Sequence, residues 1–231
     1  MRPSAAKFPR VLQEAALPFE QFAALADAEC VHAFVHRAPG VDVSYDKKGA
    51  LARLDDVHRQ VRFALNLESR AFITAEQVHG DGLAVIDQPI HDEKCFSACD
   101  GLITNQRDVC LGIYVADCCA VYLVDPVRHA LGLVHSGKKG TELGIVGRAI
   151  DLMTEHFGTV PQDLVAQLSP CIRPPHYEID FAAEIARACR ERGLTSVDDG
   201  GACTACDLAR YYSYRAEKGR TGRMLAFLAL A

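Results

Sequence analysis

Residues 100–141 read DGLITNQRDVCLGIYVADCCAVYLVDPVRHALGLVHSGKKGT. Three apolar runs lie inside this stretch: Val109–Ala116, Ala120–Val124 and Ala130–Val134. Each is short, rich in Val, Ile, Leu or Tyr, and bounded by turn residues such as Asp125-Pro126, which predicts buried strands rather than helices. Two reactive side chains stand where the runs stop, Cys118 in ADCC and His135 in VHSG. A basic, glycine-bracketed loop follows, Gly137-Lys138-Lys139-Gly140, and a helix is expected from near Thr141. Reactive groups at strand ends, beside a loop that opens a helix, are a frequent way to build a site on a scaffold of helices and strands.

Outward from this stretch, Cys30–His36 alternates as a strand, and the apolar positions 51, 54, 57, 61 and 65 fit one face of a helix. Ala71–Gln77 is an extended run leading to Val78-His79-Gly80, Leu83–Ile86 reads as the next strand, and the polar stretch 87–100 as a loop. Thr141–Phe157 is a helix that Gly158 can stop, Leu164–Leu168 a strand, Phe181–Arg192 a helix closed by Gly193, and Met224–Leu230 a last strand. His32 and His36 lie too far apart along a strand to share an ion and are read as structural. Strands outnumber the helices scattered among them, which predicts an α+β fold: a single-domain layered α/β sandwich with mixed β-sheets. No segment repeats at a fixed period.

Composition limits the functions open to such a fold. The chain has 231 residues, 49% of them hydrophobic and 24% charged, enough for a substantial core. A net charge of −5 argues against a general nucleic-acid binder, and no apolar run is long enough to span a membrane. The N-terminal residues show no signal-peptide pattern, so a cytoplasmic location is expected. The ten cysteines then read as free thiols, and those on apolar faces, Cys110 and Cys189 among them, as small buried hydrophobes.

His79, Cys118 and His135 each lie beside a glycine or a turn. Two imidazoles and a thiolate make a three-ligand set for Zn²⁺ that leaves a fourth position open. Spacing alone leaves other readings in place. Cys118 can instead be a nucleophile with a histidine as its base, supported by Asp117 and the two lysines. A third reading groups Cys95, Cys99, Cys203 and Cys206 as a structural zinc site. Copper suits a soft Cys/His set too. A multicopper laccase centre does not follow, because the nine histidines include no His-x-His pair. Lys138 and Lys139 are either solvated surface charges or part of an anion site.

The motifs QVHG (77–80), CDGLIT (99–104), LGIYVADC (111–118), VHSGKKGT (134–141), SPCIRPPHYEI (169–179), CT (203–204), YYSYR (211–215) and TGR (221–223) stand in an order that resembles the YfiH-type laccase-domain family, also called polyphenol oxidase. The resemblance spans residues 30–231 and leaves 1–29 as an N-terminal extension. It implies an α/β/β sandwich and a zinc site at His79, Cys118 and His135. It also implies purine nucleoside phosphorylase activity on adenosine, inosine, guanosine and methylthioadenosine, with adenosine deamination. Lys139, Arg215 and Arg223 become candidates for holding phosphate. Some family members are linked to peptidoglycan editing, so a cysteine-dependent amidase or editing hydrolase is the alternative, with a zinc-binding relative lacking catalysis as a third reading. The expected partners are a nucleoside and phosphate, without nucleic acid or membrane. The family's HAGWRG stands here as His135-Ser136-Gly137-Lys138-Lys139-Gly140, so Lys138 replaces a tryptophan and Lys139 an arginine.

Overall fold

The computed structural model describes residues 17–231; much of the 1–29 extension, including the stretch read for a signal peptide, lies outside them. Its twelve strands are β1 (Phe19–Glu20), β2 (Cys30–Val35), β3 (Ala71–Ala75), β4 (Leu83–Ile86), β5 (Lys94–Phe96), β6 (Gly101–Thr104), β7 (Val109–Val115), β8 (Cys119–Asp125), β9 (Ala130–Ser136), β10 (Val165–Leu168), β11 (Ser196–Asp199) and β12 (Met224–Leu230). Four α-helices accompany them: α1 (Lys47–Ala64), α2 (Lys138–Glu142), α3 (Ile145–Phe157) and α4 (Phe181–Glu191). The strands form two mixed six-stranded sheets, ordered β1-β2-β12-β7-β3-β5 and β11-β10-β8-β9-β6-β4. The predicted layered sandwich with mixed sheets is thus the architecture observed.

Strand periodicity explains the layering. In β8, Ala120, Tyr122 and Val124 join a core shared with the first sheet and α1, whereas Val121 and Leu123 face a second core with α3 and α4. A strand buried on both faces reads as a continuous apolar run, and that is why 100–141 was so legible. Tyr122 buries its ring between the sheets and satisfies its hydroxyl by donating to the Ala33 carbonyl at 2.8 Å. On the other face of the first sheet, β7 passes Phe72 so closely that a Cβ at Gly112 would meet that ring at 2.4 Å.

The helix ends follow ordinary capping chemistry. Asp46 accepts the Gly49 N–H at 2.8 Å to start α1, and Asp180 accepts that of Ala183 at 3.1 Å to start α4. Gly158 and Gly193 close α3 and α4 with φ of 69° and 95°. Among the described residues, no helix is long and apolar enough to cross a membrane.

Three expectations need correction. The helix placed from Thr141 to Phe157 is two helices: α2 already starts at Lys138, and Gly144, at φ 74°, breaks the chain before α3. The two lysines therefore sit in a helical turn rather than a free loop. The stretch 87–100 holds β5, a three-residue edge strand set among polar and turn residues and paired in parallel with β3. Within the 1–29 extension, Phe19–Glu20 adds an edge strand to β2. His32 and His36 are structural as read: His32 accepts the Phe22 N–H at 2.8 Å, and His36 faces Glu20 at 3.1 Å.

Candidate active site

Three strand ends of the second sheet, those of β8, β9 and β6, converge with the end of β3 from the first. The register of β8 on β9 pairs Cys119 with Ser136, placing Cys118, just outside β8, beside the end of β9 that carries His135. A Cβ at Gly137 would lie 2.5 Å from the Cys118 sulfur, so this approach requires glycine. Pairing of β6 with β9 brings Asp100, just before β6, alongside His135, whose N–H donates to the Asp100 carbonyl at 2.7 Å. His79 arrives on the turn after β3. That turn is pinned to β7 by Gln77, whose side chain both donates to and accepts from the Tyr114 backbone, at 2.6 and 3.0 Å.

The donor atoms of His79, Cys118 and His135 all lie within 4.8 Å of one another, the one such group of metal-ligating side chains among the described residues. The two imidazoles meet edge to face, with centroids 4.9 Å apart. Cys95 with Cys99 and Cys203 with Cys206 form no common cluster, which removes the four-thiolate zinc reading. Cys110 and Cys189 are fully buried, as read.

Asp100 organises this arrangement. Its buried carboxylate accepts the backbone N–H groups of Val78, His79 and Gly80 at 3.1, 2.8 and 2.8 Å, holding a turn in which Gln77 and His79 have φ of 62° and 59°. Non-glycine residues pay about 1–3 kcal/mol each to occupy such conformations, so the turn needs this anchor. The same carboxylate lies 2.8 Å from His135 Nδ1. Because the carboxylate only accepts, Nδ1 carries the proton and Nε2 is left for the site. Asp117, read as the group supporting a Cys–His pair, does something else. It accepts the Thr204 hydroxyl and the Arg215 N–H, both at 2.7 Å, and so ties the CT and YYSYR motifs to the residue beside Cys118. The orienting carboxylate is Asp100, present in CDGLIT but not singled out there.

Electrostatics follow from the packing. Burial raises the Cys118 thiol, but hydrogen bonds and charge from His135 and His79 outweigh it and bring it down to about 6. Burial lowers His135, yet Asp100 and Cys118 together push it up to about 9. For Asp100, burial raises the carboxyl, and His135 with the Gly80 amide turns the net shift downward.

Above this floor opens a pocket of about 660 Å³. Lys139, Arg215 and Arg223, picked from the sequence, all line it. Arg215 pairs with Glu178 at 3.1 Å and lies over Tyr177, its Cζ 4.9 Å from the ring centre. Arg223 donates to the Thr221 and Gly222 carbonyls. Sequence reasoning missed Lys47, Tyr114, Tyr177 and Phe181 on the walls. Lys47 opens a helix far away in sequence, and no local pattern could have found it; Tyr177 at least stands in the SPCIRPPHYEI motif.

Comparison with known proteins places this geometry. A purine nucleoside phosphorylase of Deinococcus radiodurans is 31% identical, with 86% of this chain and 88% of that protein covered. The purine nucleoside phosphorylase YlmD of Bacillus subtilis is 26% identical over 71% of this chain and 73% of its own. Among solved structures, the Bacillus licheniformis hypothetical protein YfiH superposes with a TM-score of 0.77 at 21% identity, covering 94% of this chain and all of that one. YlmD from Geobacillus stearothermophilus gives 0.74 at 23%, covering 93% and 99%. The family model described as multi-copper polyphenol oxidoreductase laccase matches residues 33–192 and 179–231. With every strand end that builds the site inside those matches, the chain belongs to the multi-copper polyphenol oxidoreductase laccase family, the YfiH-type laccase domain.

Proposed function

We propose that the chain is a zinc-dependent purine nucleoside phosphorylase acting on adenosine, inosine, guanosine and methylthioadenosine, with adenosine deaminase activity at the same site. The observation that carries this reading is the convergence of His79, Cys118 and His135 within 4.8 Å on the floor of a pocket walled by aromatic rings and cations. The names of the relatives support the phosphorylase half of it. Two imidazole nitrogens and a thiolate fit Zn²⁺, and a carboxylate behind one imidazole is the usual outer support of such a ligand. The same soft set would accommodate copper. An ion held there supplies Lewis-acid polarisation.

The protein's own groups account for the remaining tasks. Asp100 keeps the proton on His135 Nδ1 and directs Nε2 inward. Tyr177 and Phe181, edge to face with centroids 5.8 Å apart, offer an apolar wall against which a purine packs. Lys139, Arg215 and Arg223 would hold phosphate as it bonds to the sugar's anomeric carbon while the bond to the base breaks. Small molecules, a nucleoside and phosphate, are the partners of this reading.

The test is zinc content together with adenine release (phosphorolysis) and ammonia release (deamination) from adenosine, for the wild type and for His79→Ala, Cys118→Ala and His135→Ala. Each substitution is expected to lose zinc and both activities together. Activity that survives zinc removal, or zinc fully retained in all three variants, would overturn the reading. A second reading rests on the low-lying Cys118 thiol beside a raised His135: a cysteine-dependent amidase or editing hydrolase. An acyl group trapped on Cys118 and detected by mass spectrometry would favour it.

A further inference from the structure

In a chain of net charge −5, one pocket gathers the side chains of Lys47, Lys138, Lys139, Arg215 and Arg223. Only Arg215 has a carboxylate within ion-pair distance among the described residues. The pocket's own acids do little to neutralise the rest. Asp117 is committed to Thr204 and to the Arg215 backbone, which leaves Glu142 as the other lining carboxylate. Uncompensated cations collected in a cleft of an acidic protein focus a positive potential and select an anionic ligand.

One phosphate co-substrate does not use all of these groups. If Lys139, Arg215 and Arg223 hold it, Lys47 and Lys138 still face the pocket from two different helices, α1 and α2. Lys47 reaches only a neutral acceptor, the Glu76 carbonyl at 3.4 Å. Partial desolvation, and then repulsion from Arg223, hold its ammonium below the ordinary lysine value, a penalty that a bound anion would relieve. Lys138 occupies the position where the related HAGWRG motif carries an apolar ring, so in this chain a wall suited to a neutral group has become a charge.

We propose that the pocket accepts two anions at once, the phosphate co-substrate and a phosphate on the nucleoside, so that the preferred substrate is a purine nucleoside monophosphate selected by Lys47 and Lys138. This inference rests on the phosphorylase reading for its purine and its co-substrate, and on the pocket's charge for the second anion.

Calorimetric binding of adenosine 5′-monophosphate and of adenosine to zinc-loaded protein, with inorganic phosphate saturating, tests it. The monophosphate is expected to bind at least about tenfold more tightly, the effect of one charge-assisted contact. Its advantage should shrink as salt is raised. In Lys47→Ala/Lys138→Ala the advantage should close, and Lys138→Trp should shift preference toward adenosine. Both lysines are exposed, and matching thermal melts would show the variants folded. Equal affinities in the wild type, a gap that survives the double substitution, or a gap that vanishes once phosphate saturates would each overturn the proposal. Phosphorolysis of adenosine without any preference for the monophosphate removes this inference and leaves the phosphorylase reading. The preference without any phosphorolysis does the reverse.

Discussion

On the pocket floor, Asp100 is fully buried and takes N–H groups from three successive residues and an imidazole, while on the rim Lys138 and Lys139 stand exposed without an ion-pair partner among the described residues. The floor is over-determined: strand register, a glycine that admits the Cys118 sulfur and a shared carboxylate all fix the same three donors. The rim is fixed by the backbone of α2, and no ion pair among the described residues holds its two lysine side chains. A floor of this kind constrains which chemistry is available. A rim of this kind leaves the floor intact when one of its residues is replaced, so it is where a change of substrate preference would be made.

The sharpest difference between the two regions should appear in thiol reactivity. In metal-free protein, Cys118 titrates at about 6 rather than 9.0. Since the thiolate is the nucleophile, alkylation should rise as pH increases through about 6 and then level off. At pH 7 its thiolate fraction should exceed that of an ordinary thiol by roughly two orders of magnitude, although the lower nucleophilicity of a less basic thiolate trims the gain in rate. Iodoacetamide labelling followed site by site across pH measures this. His135→Ala should move the midpoint upward, and zinc should protect the sulfur. A midpoint near 9 would mean that the floor does not couple its groups as the geometry implies.

Next in size is the loss of the shared carboxylate. Asp100→Asn keeps the shape but weakens the anchor of both the His79 turn and His135 Nδ1. Removing an outer-shell partner of a metal-ligating histidine typically costs about 10- to 100-fold in metal affinity. A competition titration with a zinc chelator should find a loss in that range. Unchanged affinity would show that strand register alone positions the ligands.

How legible each region was in the sequence follows from the same contrast. The strands of 100–141 announce themselves because burial on both faces confines polar residues to their ends, and the three donors sit at the ends of runs or in a marked turn. Asp100 did not stand out, because a carboxylate facing backbone amides leaves no spacing pattern and Asp117 was the nearer neighbour in sequence. Lys94–Phe96 was hidden by its length, since three residues within a polar stretch are too few to show an alternation. The break at Gly144 was missed because α2, Lys-Lys-Gly-Thr-Glu, carries no apolar positions whose spacing could mark where one helix ends and the next begins. Lys47 joins the pocket only through the packing of α1, which no local motif records.

The smallest expected effect belongs to the rim. Lys139 stands where the related motif has arginine, exposed in the first turn of α2 and lining the pocket. At five residues, α2 is too short for its dipole to contribute much, so any anion affinity here must come from the side chain. One charge-assisted contact contributes about 1.5–3 kcal/mol in a partly desolvated site, and an exposed lysine falls at the lower end. Lys139→Ala should therefore raise the apparent phosphate KM about tenfold, since about 1.4 kcal/mol corresponds to one decade. Lys139→Arg should restore or improve it, because a guanidinium offers a planar fork that matches two phosphate oxygens where an ammonium offers a point charge. Phosphate dependence of nucleoside phosphorolysis, compared across the three proteins at one ionic strength, reads the difference directly. If Lys139→Ala leaves that dependence unchanged, the lysine is a solvated surface charge, and the burden of holding phosphate passes to Arg215, whose backbone N–H is tied to Asp117, and to Arg223, whose guanidinium is steadied by the Thr221 and Gly222 carbonyls of its own turn.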